Sequence, residues 1–161
     1  FIALSTLLIV WYRLPGVVAV VALAIYIAIM CAILKLVPVT LTAAGIAGFV
    51  ISLGLAVDGN ILIAERLKEE LRAGRLIQDA IRVGFDRAWF SIRDSNLSSI
   101  ITAAILFWFG SSLIQGFALT LGLGAIVSML SAVTVSRIIL MSLNAKNTKA
   151  TKFLFSSGFS K

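Results

Sequence analysis

The sequence predicts an all-α polytopic membrane protein, and three observations carry that expectation. Of 161 residues, 60% are hydrophobic and only 13% are charged, giving a mean hydropathy of +1.08. The apolar residues run in stretches longer than a globular core helix needs. The basic residues gather in alternate connections between those stretches, as they do at membrane boundaries.

Five apolar segments follow in order: residues 1–12, 17–37, 41–64, 97–113 and 117–139. The second, third and fifth reach the roughly 20 residues that carry a helix across the hydrocarbon, and the fourth is near the lower limit. The first is too short alone. Because it opens on Phe1 with no basic run before it, it reads as the tail of a span that begins upstream rather than as a signal peptide.

Lys and Arg set the expected orientation. Arg13 lies in the first connection, and Arg66, Lys68, Arg72, Arg75, Arg82, Arg87 and Arg93 lie in the third, residues 65–96. The second holds only Lys35, and the fourth, Gly110 to Gly116, holds none. The first and third connections are therefore expected in the cytoplasm. So is the end of the chain, where Arg137 precedes a basic tail, residues 142–161, with Lys146, Lys149, Lys152 and Lys161. This distribution accounts for the net charge of +7, and no basic-aromatic pattern points to nucleic acid; the tail suits contact with anionic lipid of the bilayer. Cys31 is the only cysteine, which excludes an internal disulfide, and the absence of histidine excludes a His-ligated metal or a His proton relay.

Asp58 is the only acidic residue outside the segment from Glu65 to Asp94, and it interrupts the third apolar segment. A carboxylate near the middle of a membrane helix costs roughly 2.5–3.5 kcal/mol, so it marks a functional position by default. With histidine absent, any proton carrier inside the membrane must be a carboxylate. At 100° per residue, Ala44, Ala47, Ile51, Gly54, Asp58, Leu62 and Glu65 share one helix face. The small residues there invite close approach of another helix, so the acid is expected to face protein rather than lipid.

Two stripes of hydroxyl and small residues are candidate complements. Ser95, Ser98, Ser99 and Thr102 share a face of the fourth segment, and Thr120, Gly124, Ser128 and Ser131 form a second stripe on the fifth. Such hydroxyls either bond Asp58 and the waters leading to it, or bond the carbonyls of their own preceding turn.

The third connection begins with a charged run whose pairs Glu65/Lys68 and Glu69/Arg72 suit a helix surface, so the third helix is expected to protrude until Gly74 breaks it. Beyond the break, Ile77, Ile81, Phe85, Ala88 and Trp89 recur at helical spacing opposite Asp79, Arg82 and Asp86. This predicts an amphipathic helix on the membrane surface, or one that docks a partner. Asp94, Ser95 and Asn96 then suit an N-cap at the start of the fourth span.

These residues also form a pattern. The run Gly54-Leu55-Ala56-Val57-Asp58-Gly59-Asn60-Ile61-Leu62-Ile63-Ala64-Glu65-Arg66-Leu67-Lys68-Glu69-Glu70-Leu71-Arg72-Ala73-Gly74 resembles the signature of the SecD branch of the SecD/SecF family of protein-export membrane subunits. The resemblance continues through Gly84-Phe85, Ala88-Trp89, Ile92-Arg93-Asp94-Ser95-Asn96 and Gly116-Phe117-Ala118-Leu119-Thr120-Leu121, in order and spacing from about Gly45 to Leu140. The SecF branch usually carries Asn-Asp-Thr where this chain has Asp58-Gly59-Asn60, and Asp-Arg where it has Glu65-Arg66. Two departures from the SecD pattern are mild: Ser98-Ser99 stand in place of Thr-Thr, and Ala64 in place of Phe.

The resemblance implies that the five segments are the second to sixth spans of a six-span half of the resistance-nodulation-division type. It implies a multi-pass protein of the bacterial inner membrane that, with SecF, uses the proton-motive force to help preproteins complete export after SecA and the SecYEG channel have moved them. The implied protein is a transporter subunit and not an enzyme; it takes no cofactor, and its coupling ion is H+, with Na+ as the alternative. Asp58 matches the family's intramembrane aspartate, with Gly54, Asn60, Glu65, Asp94, Ser95, Asn96, Ser99 and Thr102 as supporting residues. Two other classes compete: a proton-coupled exporter of drugs or lipids from the wider superfamily, and a membrane scaffold with no proton chemistry.

Overall fold

A computed structural model describes residues 2–37 and 42–142 of the chain. Phe1, the second connection at residues 38–41 and the basic tail from residue 143 lie outside the described residues. Five α-helices and one π-helical turn account for nearly all of what is described: α1 (Ile2–Leu36), α2 (Ala43–Arg72), α3 (Ile77–Phe109), α4 (Ser112–Ser131), the π-turn Ala132–Ser136, and α5 (Arg137–Ser142). Among the described residues α1, α2 and the run Ser112–Leu140 are long and apolar enough to cross a membrane. Helix α3 falls outside this set, its apolar run beginning only at Leu97.

The first two predicted segments form one element with a sharp break. Arg13 has φ 49° and ψ −114°, outside the helical region. A Cβ on Gly16 would overlap the carbonyl of Leu8. In a straight helix those residues would be about 12 Å apart along the axis, so the chain folds back at Arg13. Leu8 and Tyr12 from one limb, and Ala19, Leu23, Tyr26 and Met30 from the other, pack with Ala56, Val57, Ala64 and Val127.

Helix α2 opens on Thr42, whose hydroxyl accepts from Gly45 N at 3.1 Å, satisfying one donor of the first turn. It continues unbroken through the charged run to Arg72, and the chain turns where Gly74 takes φ +86°, a conformation only glycine adopts without strain. Glu70 fastens this turn: its buried carboxylate accepts from Arg75 Nε at 2.6 Å and from an Arg87 guanidinium nitrogen at 2.5 Å. The Arg87 hydrogen bond, helped by the charge of Arg75, holds the Glu70 carboxyl below its ordinary range.

Helix α3 corrects two expectations. Residues 77–109 are one helix, so Asp94, Ser95 and Asn96 are mid-helix and do not cap a new one. Its first half places Ile77, Ile81, Phe85 and Ala88 in a core with Ile63, Leu67, Ala132 and Leu140. The apolar stripe thus faces α2 and the end of the last helix, and Trp89 is half-buried beside it. Gly84 explains how tightly: a Cβ there would lie 2.8 Å from Leu67 N, so the two backbones nearly touch. The predicted connection at Gly110 to Gly116 shrinks to Gly110 and Ser111, because α4 already begins at Ser112.

Small residues make the seam between α2 and α4. A Cβ on Gly48 would overlap Thr120 Oγ1 and the Phe117 carbonyl, and one on Gly124 would overlap Ser52. Thr120 Oγ1 shares its proton between the Gly45 carbonyl across the seam, at 2.9 Å, and the Phe117 and Gly116 carbonyls of its own turn. Large apolar side chains including Ile46, Val50, Ile101, Ile105, Trp108 and Leu130 point outward. An exterior of this kind belongs in hydrocarbon.

Candidate functional site: the carboxylate stripe of α2

Two faces of α2 carry different chemistry. Gly45, Gly48, Ser52, Ala56, Gly59 and Asn60 are buried against the rest of the chain, whereas Ala47, Ile51, Gly54, Asp58 and Glu65 are exposed. The shared face expected for Asp58 is therefore the one this chain leaves uncovered. A Cβ added to Gly54, one turn before Asp58, meets nothing within 4 Å. Among the described residues no hydrogen bond or ion pair engages the Asp58 carboxylate.

Neither hydroxyl stripe reaches it. Ser95 Oγ donates to Ile92 O at 3.1 Å, Ser99 Oγ to Ser95 O at 3.1 Å and Thr102 Oγ1 to Ser98 O at 2.9 Å. Each hydroxyl thus satisfies itself on the preceding turn, as such groups do in a helix interior. Thr120, Gly124, Ser128 and Ser131 are buried on the other side, toward α1 and α2. Ser131 Oγ donates to the Ala22 carbonyl of α1 at 3.2 Å. Tyr26 and Ser52 pair at 2.8 Å; because Ser52 gives its own proton to Phe49 O, the tyrosine is the donor.

Asn60 turns the site inward. Two residues beyond Asp58, it is buried, donates from Nδ2 to Ala56 O at 2.9 Å, and accepts at Oδ1 from Ser136 Oγ at 2.7 Å. Ser136 closes the π-turn that interrupts the last helix, and single π-turns inside α-helices recur at functional sites. A small cavity of about 10 Å³, lined by Pro15, Val18, Ala19, Asn60, Ile63, Ala64, Ser136 and Leu140, adjoins this pair. Sequence periodicity could not find the Asn60–Ser136 contact, because it joins positions 76 residues apart.

The remaining candidates are spread along the same level and toward the charged end. Gly59 faces Ile92 of α3, at 3.9 Å from where a Cβ would stand. Asn96, one turn on, is buried; its Nδ2 donates to Ile92 O at 2.8 Å while its Oδ1 has no partner among the described residues. Asp94 is exposed and takes the guanidinium of Arg93 at 3.0 Å. Glu65 is exposed two turns beyond Asp58 and accepts from the Tyr12 hydroxyl at 3.0 Å. No group of three or more His, Cys, Asp or Glu side chains suited to a metal is gathered among the described residues.

Residues 1–146 match the family described as protein export membrane protein SecD/SecF, C-terminal. The chain is 60% identical over 142 residues to the protein translocase subunit SecD of Thermobaculum terrenum, covering 86% of this chain and 28% of that protein. It is 54% identical over 132 residues to the SecD subunit of Synechocystis, covering 82% and 28%. The crystal structure of SecDF in its super-membrane-facing form matches with a TM-score of 0.85 at 38% identity, covering 88% of this chain and 20% of that one. The chain thus spans less than a third of the length of these two SecD subunits.

Proposed function

Since the chain belongs to the SecD/SecF family of protein export membrane proteins, over the C-terminal membrane part, we propose that it serves a translocase accessory subunit which couples the proton-motive force to preprotein export. In this reading it works with a SecF half beside the SecYEG channel in the bacterial inner membrane. Arg75, Arg82 and the chain's end lie in the cytoplasm, and Ser112 on the far side.

The observation that carries the reading is Asp58: a carboxylate within an apolar helix, on a face this chain leaves uncovered. An acid in hydrocarbon requires a partner or a water-filled cavity. Within the described residues no Lys or Arg engages it, so the second half supplies the complementary charge and Asp58 faces that interface. Gly54 lets the partner helix approach closely. Protonation and ionisation of Asp58 then change how tightly the two halves pack, which is the differential free energy a two-state motion requires. The coupling ion is H+.

Asn60 and Ser136 give that change a route into the bundle. A shift of α2 at Asp58 moves Asn60, and the 2.7 Å bond to Ser136 carries it to the π-turn. Asn96, whose Oδ1 is unpartnered among the described residues, is a further buried polar group.

The test is gradient-driven export by the full-length protein in membrane vesicles. Asp58→Asn keeps the side chain's shape but cannot release a proton in this pH range, so it is expected to insert normally and lose the gradient-dependent part of export. Full gradient-dependent export by that variant rejects the reading.

A further inference from the structure

We infer that Glu65 is the cytoplasmic proton-exchange group for Asp58, positioned by the Tyr12 hydroxyl; the inference rests on the proton-coupling reading above. The two carboxylates lie on the same exposed face of α2, with half-buried Leu62 between them. Seven residues of helix separate them, about 10 Å of rise, or roughly three waters at hydrogen-bonded steps of ~2.8 Å. Glu65 stands where the apolar run ends, and an open cleft of about 170 Å³ begins there, lined among the described residues by Glu65, Lys68, Glu69 and Arg72. Every side chain lining that cleft carries charge, so it is a hydrated bay at the end of the stripe that starts at Asp58.

The partner of Glu65 distinguishes it from its neighbours. Glu69 pairs with Arg66 at 2.7 Å, Glu70 with Arg75 and Arg87, and Asp94 with Arg93. A carboxylate that gains a proton loses such an ion pair. Glu65 instead accepts from a neutral phenol at 3.0 Å, an orienting bond that costs no ion pair when the acid is protonated. Asp79 and Asp86, on α3 beyond the Gly74 turn, are exposed but lie off this face. The charged groups around Glu65 are Lys68, whose ammonium stands 6.0 Å from the Tyr12 ring, Glu69 and Arg72 from α2, and Arg87 of α3, which reaches Glu69 at 3.8 Å. From α1, the Tyr12 hydroxyl touches it.

The step is a proton relay. The Asp58 carboxyl gives its proton to the adjoining water and becomes a carboxylate, the Glu65 carboxylate receives a proton from the other end of the file, and Glu65 then returns it to cytoplasmic water. Atoms and charge balance with no other reactant.

The experiment is proton flux through the full-length protein with its partner half, reconstituted in liposomes, measured against pH on the cytoplasmic side. Glu65→Gln keeps the oxygen that accepts from Tyr12, so a purely structural role for Glu65 leaves flux unchanged. The expected result is a loss of about tenfold or more at an unaltered melting temperature, with partial recovery in Glu65→Asp. Tyr12→Phe removes the bond that orients the carboxylate, and its flux is expected to fall in the same direction by a smaller factor. Wild-type flux in Glu65→Gln beside an inactive Asp58→Asn overturns the role of Glu65 and leaves that of Asp58 standing. A Glu65→Gln flux loss that comes with a lowered melting temperature assigns Glu65 a structural role and also overturns it. Wild-type flux in Asp58→Asn removes the coupling reading and this inference with it.

Discussion

Ser136 Oγ donates to Asn60 Oδ1 at 2.7 Å, joining the π-turn of the last helix to the buried residue two places beyond Asp58. Interhelical hydrogen bonds in membranes average ~0.6 kcal/mol and reach ~1.7. This one is buried at both ends, so a double-mutant cycle of Asn60→Ala and Ser136→Ala is expected to return a coupling of about 1–1.7 kcal/mol in micelle unfolding. Additive single costs would mean that the two residues do not act together.

The glycines of α2 and α4 should separate into two kinds. Gly48→Ala and Gly124→Ala place a methyl group on opposing helix atoms, and overpacking of this sort costs about 1–3 kcal/mol. Gly54→Ala meets open space and should leave stability within about 0.5 kcal/mol. Gly54→Leu should also fold, but weaken co-purification of the partner half by filling the approach to Asp58. A stable association in that variant would put the interface on another face.

Acid should loosen the α2–α3 turn. Arginine contacts depress the Glu70 carboxyl below its ordinary value of 4.5, so its contribution is full above that pH and is lost as pH falls through the lower, folded-state value. Wild type should therefore melt at a higher temperature than Glu70→Gln at pH 7, with the gap closing below about pH 4. A gap of constant size down to pH 2 would show that the carboxylate charge is not what holds the turn.

Orientation has its own readout. Single cysteines at Arg75, Arg82 and Ser112, each in a Cys31→Ser background, should be labelled from the cytoplasmic side at the first two positions and from the opposite side at the third. The reverse pattern would invert the path proposed for the proton.

Much of the fold was legible because its signals are local. The charged run ending at Gly74 announced where α2 stops, and the spacing of Ile77, Ile81, Phe85 and Ala88 announced an apolar helix face, though not that the chain's own core covers it. The length of α3 was not legible, since Asp94-Ser95-Asn96 has the composition of an N-cap; Ser95 and Asn96 instead bond back to Ile92, which lets the helix run on. Periodicity grouped Gly54, Asp58 and Glu65 on one face correctly. It says which residues share a face and not which face is covered, so the hydroxyls of α3 and α4 looked like partners for Asp58 when α4 in fact packs on the opposite side. The partner of Glu70 depended on a backbone reversal, and that of Asn60 on a contact between distant helices, neither of which any window of sequence contains.

The glycine seam has a mechanical consequence. With no Cβ at Gly48 or Gly124, backbone lies against side chain across α2 and α4, and interiors packed this closely transmit strain instead of absorbing it. A push on one of these helices is delivered to the other undamped. The pair behaves as a single lever arm, with a carboxylate on one flank and the π-turn at its far end.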